Sequence, residues 1–143
     1  TKREDVDFLA IYCENKWVGM IYIINYLDLS YVFYFALDDS QRGQGIGSAV
    51  LREIHKLYSG RRFFLALEQL DKNADNYAQR VSRSKFYQKN GLKKLKISIK
   101  EGNVVYDSMG FGGEVKPDEY MAMMKNYTGF FFSMLYKVEM FEN

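Results

Sequence analysis

The chain has 143 residues, 48% of them apolar, with 12 Tyr, 11 Phe and a single Pro, and its formal net charge is only +2. This length and composition predict one ordered domain over residues 1–143 and argue against disorder, while the interspersed charges offer neither a basic groove for nucleic acid nor an acidic tail. Cys13 stands alone, so no internal disulfide framework or CxxC metal site is expected. No apolar stretch reaches the roughly 20 residues that span a bilayer, and no signal-peptide pattern opens the chain. The expectation is a cytoplasmic protein with no membrane or nucleic-acid partner and no metal.

In chain order, Phe8 to Tyr12 and Trp17 to Asn25 read as strands around a turn at Glu14-Asn15-Lys16, and Tyr31 to Leu37 follows Asp28-Leu29-Ser30 as a third. Together they form an antiparallel meander. From Gly45 to Tyr58 the period becomes helical, with Ile46, Val50, Ile54 and Leu57 on one face and Arg52, His55, Lys56 and Ser59 on the other. His55, the only histidine, is read there as a solvated residue. Arg62 to Leu67 suits a central strand buried on both faces, parallel to Tyr31 to Leu37 through the intervening helix. Leu70 to Asp75 is a polar loop, and Tyr77 to Asn90 is a second helix ended by Gly91. Leu95 to Ile99 and Val104 to Met109 flank a hairpin turn at Glu101-Gly102-Asn103. A third helix starts at Pro117-Asp118-Glu119 and runs to about Tyr127, before a final strand from Phe130 to Val138.

The segment Arg42-Gly43-Gln44-Gly45-Ile46-Gly47 joins the third strand to the first helix. Glycines on alternate positions let the backbone turn tightly and aim successive N–H groups at one point, and the helix adds its unpaired amides and positive dipole end. An anion cradle for a phosphate-bearing ligand is the expectation. No Lys-Ser or Lys-Thr pair follows the glycines, which excludes a P-loop. Gly43, Gly45 and Glu68 imitate a dinucleotide fingerprint, but Ser48 stands where its third glycine belongs and the preceding strands form a meander.

The pattern R-x-x-G-x-G, here Arg42, Gly45 and Gly47, resembles the coenzyme A motif of the GNAT superfamily of acyl-CoA-dependent N-acyltransferases. Phe86-Tyr87-Gln88-Lys89-Asn90-Gly91-Leu92 is similar to a second family block, F-Y-x-K-x-G-F, with Leu for the last Phe. Asn76-Tyr77-Ala78-Gln79-Arg80-Val81-Ser82-Arg83 matches a run that some bacterial members carry before it. The resemblance covers roughly Phe8 to Leu95 and implies an α/β (α+β) fold, a mixed, mostly antiparallel sheet with helices on both faces. It implies N-acetyltransferase activity, with acetyl-CoA as cosubstrate and direct attack by a small-molecule amine or a peptide or protein amine in a ternary complex. Cofactor-binding residues would be Phe35, Ala36, Leu37, Arg42, Gly43, Gln44, Gly45, Ile46, Gly47 and Ser48. Tyr87 matches the family's general acid. Glu68, at the end of the apolar strand, is the candidate base, since an alkylamine is protonated at neutral pH and must lose a proton before it attacks; its alternative role is an ion pair with Arg80 or Arg83. Asn76 and the Arg80 and Arg83 pair are further candidates for coenzyme A.

Family members begin with a strand and two helices that wall the acceptor site. Here the antiparallel strands come almost at once, so that wall is expected to be missing, truncated or replaced, with Phe130-Phe131-Phe132 as replacement surface, dimer contact or buried strand. The rival functional reading is a non-catalytic acyl-CoA-binding or partner-binding module on the same fold.

Overall fold

The computed structural model describes residues 3–41, 43, 45–129 and 138–142. Arg42, Gln44 and the Phe130-Phe131-Phe132 run lie outside these, as does the expected final strand except for Val138. Among the described residues seven strands form one sheet in the order β1-β2-β3-β4-β6-β5-β7: β1 Val6–Cys13, β2 Lys16–Tyr26, β3 Leu29–Leu37, β4 Arg62–Glu68, β5 Lys93–Glu101, β6 Val104–Phe111 and β7 Val138–Glu142. Every pairing is antiparallel except that of β3 with β4, which is parallel across helix α1, Ile46–Leu57. Helix α2, Tyr77–Lys89, links β4 to β5, and α3, Pro117–Thr128, follows β6. No helix among the described residues is long and apolar enough to cross a membrane.

Alternation along the strands sends successive residues to opposite faces, and two cores result. Phe63 and Leu65 of β4 join Ile21, Ile23, Val32 and the α1 residues Ile54 and Tyr58, with Tyr87 of α2 packed alongside. Phe64 joins Ile24, Leu29, Tyr31 and the α3 residues Tyr120, Met123 and Met124. Helices therefore cover both faces, α1 and α2 on one and α3 on the other, as expected.

Two expectations for α1 need correction. Leu57 is 67% exposed rather than on the buried stripe, because Tyr58, just past the last turn, takes the core position. His55 is not simply solvated: its ring stacks on Phe111 at 4.1 Å, and its Nε2 lies 2.9 Å from the carbonyl oxygen of Asn90, clasping α1 to the end of α2.

The β1–β2 hairpin turns through Glu14 and Asn15, both at positive φ as a tight primed turn requires. At the opposite end of β2, Arg62 draws three elements together: its guanidinium donates to both oxygens of Asp28 at 2.8 Å, to Glu119 Oε1 and Oε2 at 2.8 and 2.6 Å, and to the carbonyl of Glu114 at 3.0 Å.

Candidate active site

The parallel ladder between β3 and β4 is short. It runs from Leu29 opposite Arg62 to Val32 opposite Leu65 and stops, although β3 continues to Leu37 and β4 to Glu68. Beyond that point the strands diverge and a cleft of about 700 Å³ opens between them, floored by Val32 to Leu37 and Leu65 to Leu67 and walled by Ala78, Gln79, Ser82, Arg83, Phe86 and Tyr87 of α2. Such a volume suits a small-molecule or cofactor arm. It also frees backbone N–H and C=O groups of β3 that would otherwise pair with β4.

The glycine loop lies just beyond the end of β3. Gly43 and Gly45 have φ of 80° and 75°, a region that glycine enters without strain, and a Cβ on either would meet open space. Gly45 begins α1, no side chain caps that end, and the first-turn residues are Ile46, Gly47 and Ser48. Uncapped first-turn amides at the positive end of the helix dipole can donate to an anion such as a phosphate group. Gly47 has a different constraint. A Cβ there would stand 2.8 Å from Cζ of Phe86, so this glycine lets α1 and α2 approach each other.

Tyr87 sits on α2 among the cleft-lining residues with Phe35, Ala36 and Leu37, so the structure brings four of the expected residues into one cavity. Burial pushes its phenol up to about 12, with the positive charge of Arg83 pulling the other way. The group therefore stays neutral at physiological pH, as a proton donor must.

Glu68 is held otherwise. Its Oε2 accepts from Arg80 Nη2 at 2.6 Å and its Oε1 from Asn76 Nδ2 at 3.5 Å, while Arg80 also donates to Asn76 Oδ1 and to the Gln69 carbonyl, both at 2.8 Å. Glu68, Asn76 and Arg80 thus form a brace between the end of β4 and the start of α2. None of the three lines the cleft, whereas Arg83 does.

Sequence reasoning missed Phe33 and Tyr34. The register of β2 with β3 slips here: Tyr22 lies opposite Tyr34 and Ile23 opposite Val32, leaving Phe33 as an extra residue. This β-bulge places two consecutive rings on the cleft. The one signal was the aromatic triplet Phe33-Tyr34-Phe35, in which regular alternation would put neighbouring rings on opposite faces.

The family model of the acetyltransferase (GNAT) domain matches residues 4–94. The chain belongs to this family. Its fold is shared by solved structures of low sequence identity. A protein from Bacteroides thetaiotaomicron described as a GNAT-family acetyltransferase is 20% identical, with a TM-score of 0.63 over 87% of this chain and 72% of that one. An aminoglycoside 6'-N-acetyltransferase complexed with coenzyme A is 19% identical, with a TM-score of 0.58 over 80% of this chain and 77% of that one. The ribosomal-protein-S18-alanine N-acetyltransferase of Escherichia coli is 16% identical, with a TM-score of 0.60 over 82% and 75%. No curated protein matches the sequence.

Proposed function

We propose that this protein is an acetyl-CoA-dependent N-acetyltransferase that moves an acetyl group to a primary amine by direct attack in a ternary complex. The observation that carries this reading is the divergence of β3 from β4 into a cleft that has a glycine cradle next to one end and the Tyr87 phenol inside. The family membership supports it, as does coenzyme A in the aminoglycoside-acetylating neighbour; that enzyme and the S18-alanine enzyme both act on amines.

The cosubstrate would bring the acetyl thioester. Amides around Gly43, Gly45, Ile46, Gly47 and Ser48, with Arg42 and Gln44 from the same loop, would hold its pyrophosphate. The edge of β3 that faces β4 over Phe35, Ala36 and Leu37, left free while the other edge pairs with β2, would align its arm and donate to the thioester oxygen as negative charge develops there. As the neutral amine adds and the C–S bond breaks, Tyr87 hydrogen-bonds the departing sulfur and gives it a proton. The phenol regains a proton released from the acylated nitrogen, so the net transfer is N–H to S–H. A phenol at about 12 is a weaker acid than a thiol of about 8.5, so its main contribution is the hydrogen bond to developing thiolate, with proton transfer late in bond breaking.

Glu68, paired with Arg80, is placed to fix α2 against β4, and we assign removal of the amine's proton to water at the cleft mouth. The same pairing favours the second reading, a non-catalytic acyl-CoA-binding module, since it occupies the one carboxylate considered as base. Thermal unfolding with acetyl-CoA, coenzyme A, NADH and ATP in parallel tests the cradle: a ligand at 100 times its Kd adds about 2.7 kcal/mol. Stabilisation by acetyl-CoA and coenzyme A alone is expected, followed by thiol release on adding amines. A shift with NADH alone would overturn the assignment, and binding without thiol release would favour the module.

A further inference from the structure

The cleft has two sides, and they differ in chemistry. Towards α1 and α2 it meets Phe35, Leu65, Leu67 and Tyr87, the side on which the glycine loop opens α1. On the α3 side the bulge presents Phe33 and Tyr34, which are 55% and 52% exposed. Their surroundings are aromatic. Tyr22, opposite Tyr34, packs on the α3-side core; Phe33 has its ring centroid 5.9 Å from that of Tyr22 and 6.2 Å from that of Tyr127, the last ring of α3. Tyr22 and Tyr127 are locked by a 2.9 Å bond between their hydroxyls, and Phe8 packs edge-on against Tyr22 at 6.0 Å.

We propose that Phe33, Tyr34, Tyr22 and Tyr127 form the acceptor-recognition surface, and that the acceptor is a monocationic amine carried on an aromatic body. This rests on the acetyl-transfer reading. If the loop and Tyr87 take the thioester from the α1 and α2 side, an attacking amine enters from the other, across these rings. An aromatic acceptor stacks on them with its ring and brings its nitrogen to the cleft, with each ring pair adding about 2–10-fold in affinity. Tyr127 already carries the chain's own Arg3 guanidinium, 4.5 Å from its centroid and fixed by Asp5 and the Tyr127 carbonyl, so the rings open to an acceptor are chiefly those of Phe33 and Tyr34. Among the described residues no carboxylate lines the cleft, and its charged member is Arg83. A polycation such as a polyamine or aminoglycoside needs several carboxylates to replace its hydration, so this cleft selects against it.

The test is thiol release with tyramine, phenethylamine, n-butylamine, spermidine and kanamycin at saturating acetyl-CoA, with acetyl-CoA binding measured separately by thermal shift. Expected is a kcat/KM for the aromatic amines about 10-fold or more above those of butylamine and spermidine, with an aromatic-to-butylamine ratio that drops about 3–10-fold in Phe33→Leu and in Tyr127→Leu. Phe33→Leu keeps apolar bulk, so a lost ratio in folded protein that still binds acetyl-CoA reports the ring. Preference for spermidine or kanamycin, or an unchanged ratio in both variants, overturns the acceptor proposal while leaving acetyl transfer standing. No stabilisation by acetyl-CoA overturns the transfer reading and this proposal with it.

Discussion

Position within a short block singled out Tyr87 in the sequence, and the structure places it on the cleft wall through the helix face it occupies. If it protonates the leaving sulfur, Tyr87→Phe lowers kcat by roughly 10–10⁴-fold and leaves acetyl-CoA affinity within about two-fold. Thiol-release kinetics and ligand-induced thermal shift measure the two separately, and an unchanged kcat removes Tyr87 from the chemistry. Glu68 was not legible to the same degree. A carboxylate at a strand end reads equally well as base or ion-pair partner, and the choice depended on Arg80, twelve positions on, being turned back onto it by α2. As a brace, Glu68→Gln should keep kcat within about three-fold at pH 8 and lower stability by about 1–2 kcal/mol, because the side chains are partly buried and Arg80 loses a charged acceptor. A kcat loss of a hundredfold with unchanged melting temperature would restore it as the base.

At the level of elements, turns and period changes marked helices and strands well. Glycines at 45 and 91 and Pro117 bracket segments whose apolar spacing leaves little choice, and each predicted strand before the third helix is present with ends moved by a few residues. What local patterning could not show is where pairing ends. The β3–β4 ladder stops at Val32 because the strands diverge in three dimensions, and the extra residue at Phe33 is a register event between two strands. Gly47 shows the same limit. In sequence it belongs to the phosphate motif, whereas its tightest constraint is the ring of Phe86 on another helix. Gly47→Ala is therefore expected to lower stability by about 1–3 kcal/mol, or roughly 2–8 °C in melting temperature, as the helices separate. Gly45→Ala meets no neighbour and costs only the strain of its positive φ, about 1 kcal/mol. A Gly47→Ala variant that melts with the parent chain would contradict this account.

For the whole molecule, sheet order was the least legible property, because it is set by long-range pairing. The β1–β2–β3 meander, the parallel β3–β4 step and the β5–β6 hairpin could be inferred from neighbours in the chain, whereas the pairing of β4 with β6 and of β5 with β7 joins strands that local patterning does not connect. The α3 helix is fastened over its face by the Arg62 cluster, and that fastening has a pH signature. Hydrogen bonds from Arg62 hold the carboxyls of Asp28 and Glu119 below their ordinary values. Both groups therefore bind protons less readily folded than unfolded, so their contribution is full above about pH 5 and is lost as pH falls through the folded values. Partial exposure of Asp28 and of Glu119 limits each pair to about 1 kcal/mol. Arg62→Met should melt lower at pH 7 and lose less between pH 6 and pH 3 than the parent chain, as followed by circular dichroism. A steeper acid loss in the variant would show that the stabilisation lies elsewhere.

A strand that parts from its neighbour in mid-sheet has an inner border. Borders on the outside of a protein invite other chains to add a strand, and proteins blunt them with charge, bulges or a covering helix. Here the border between β3 and β4 faces a cleft walled by α2, where a slender extended molecule fits and a folded chain does not. The divergence thus turns a hazard of β architecture into a sorting device: the sheet is open to completion, and only by something thin enough to thread it.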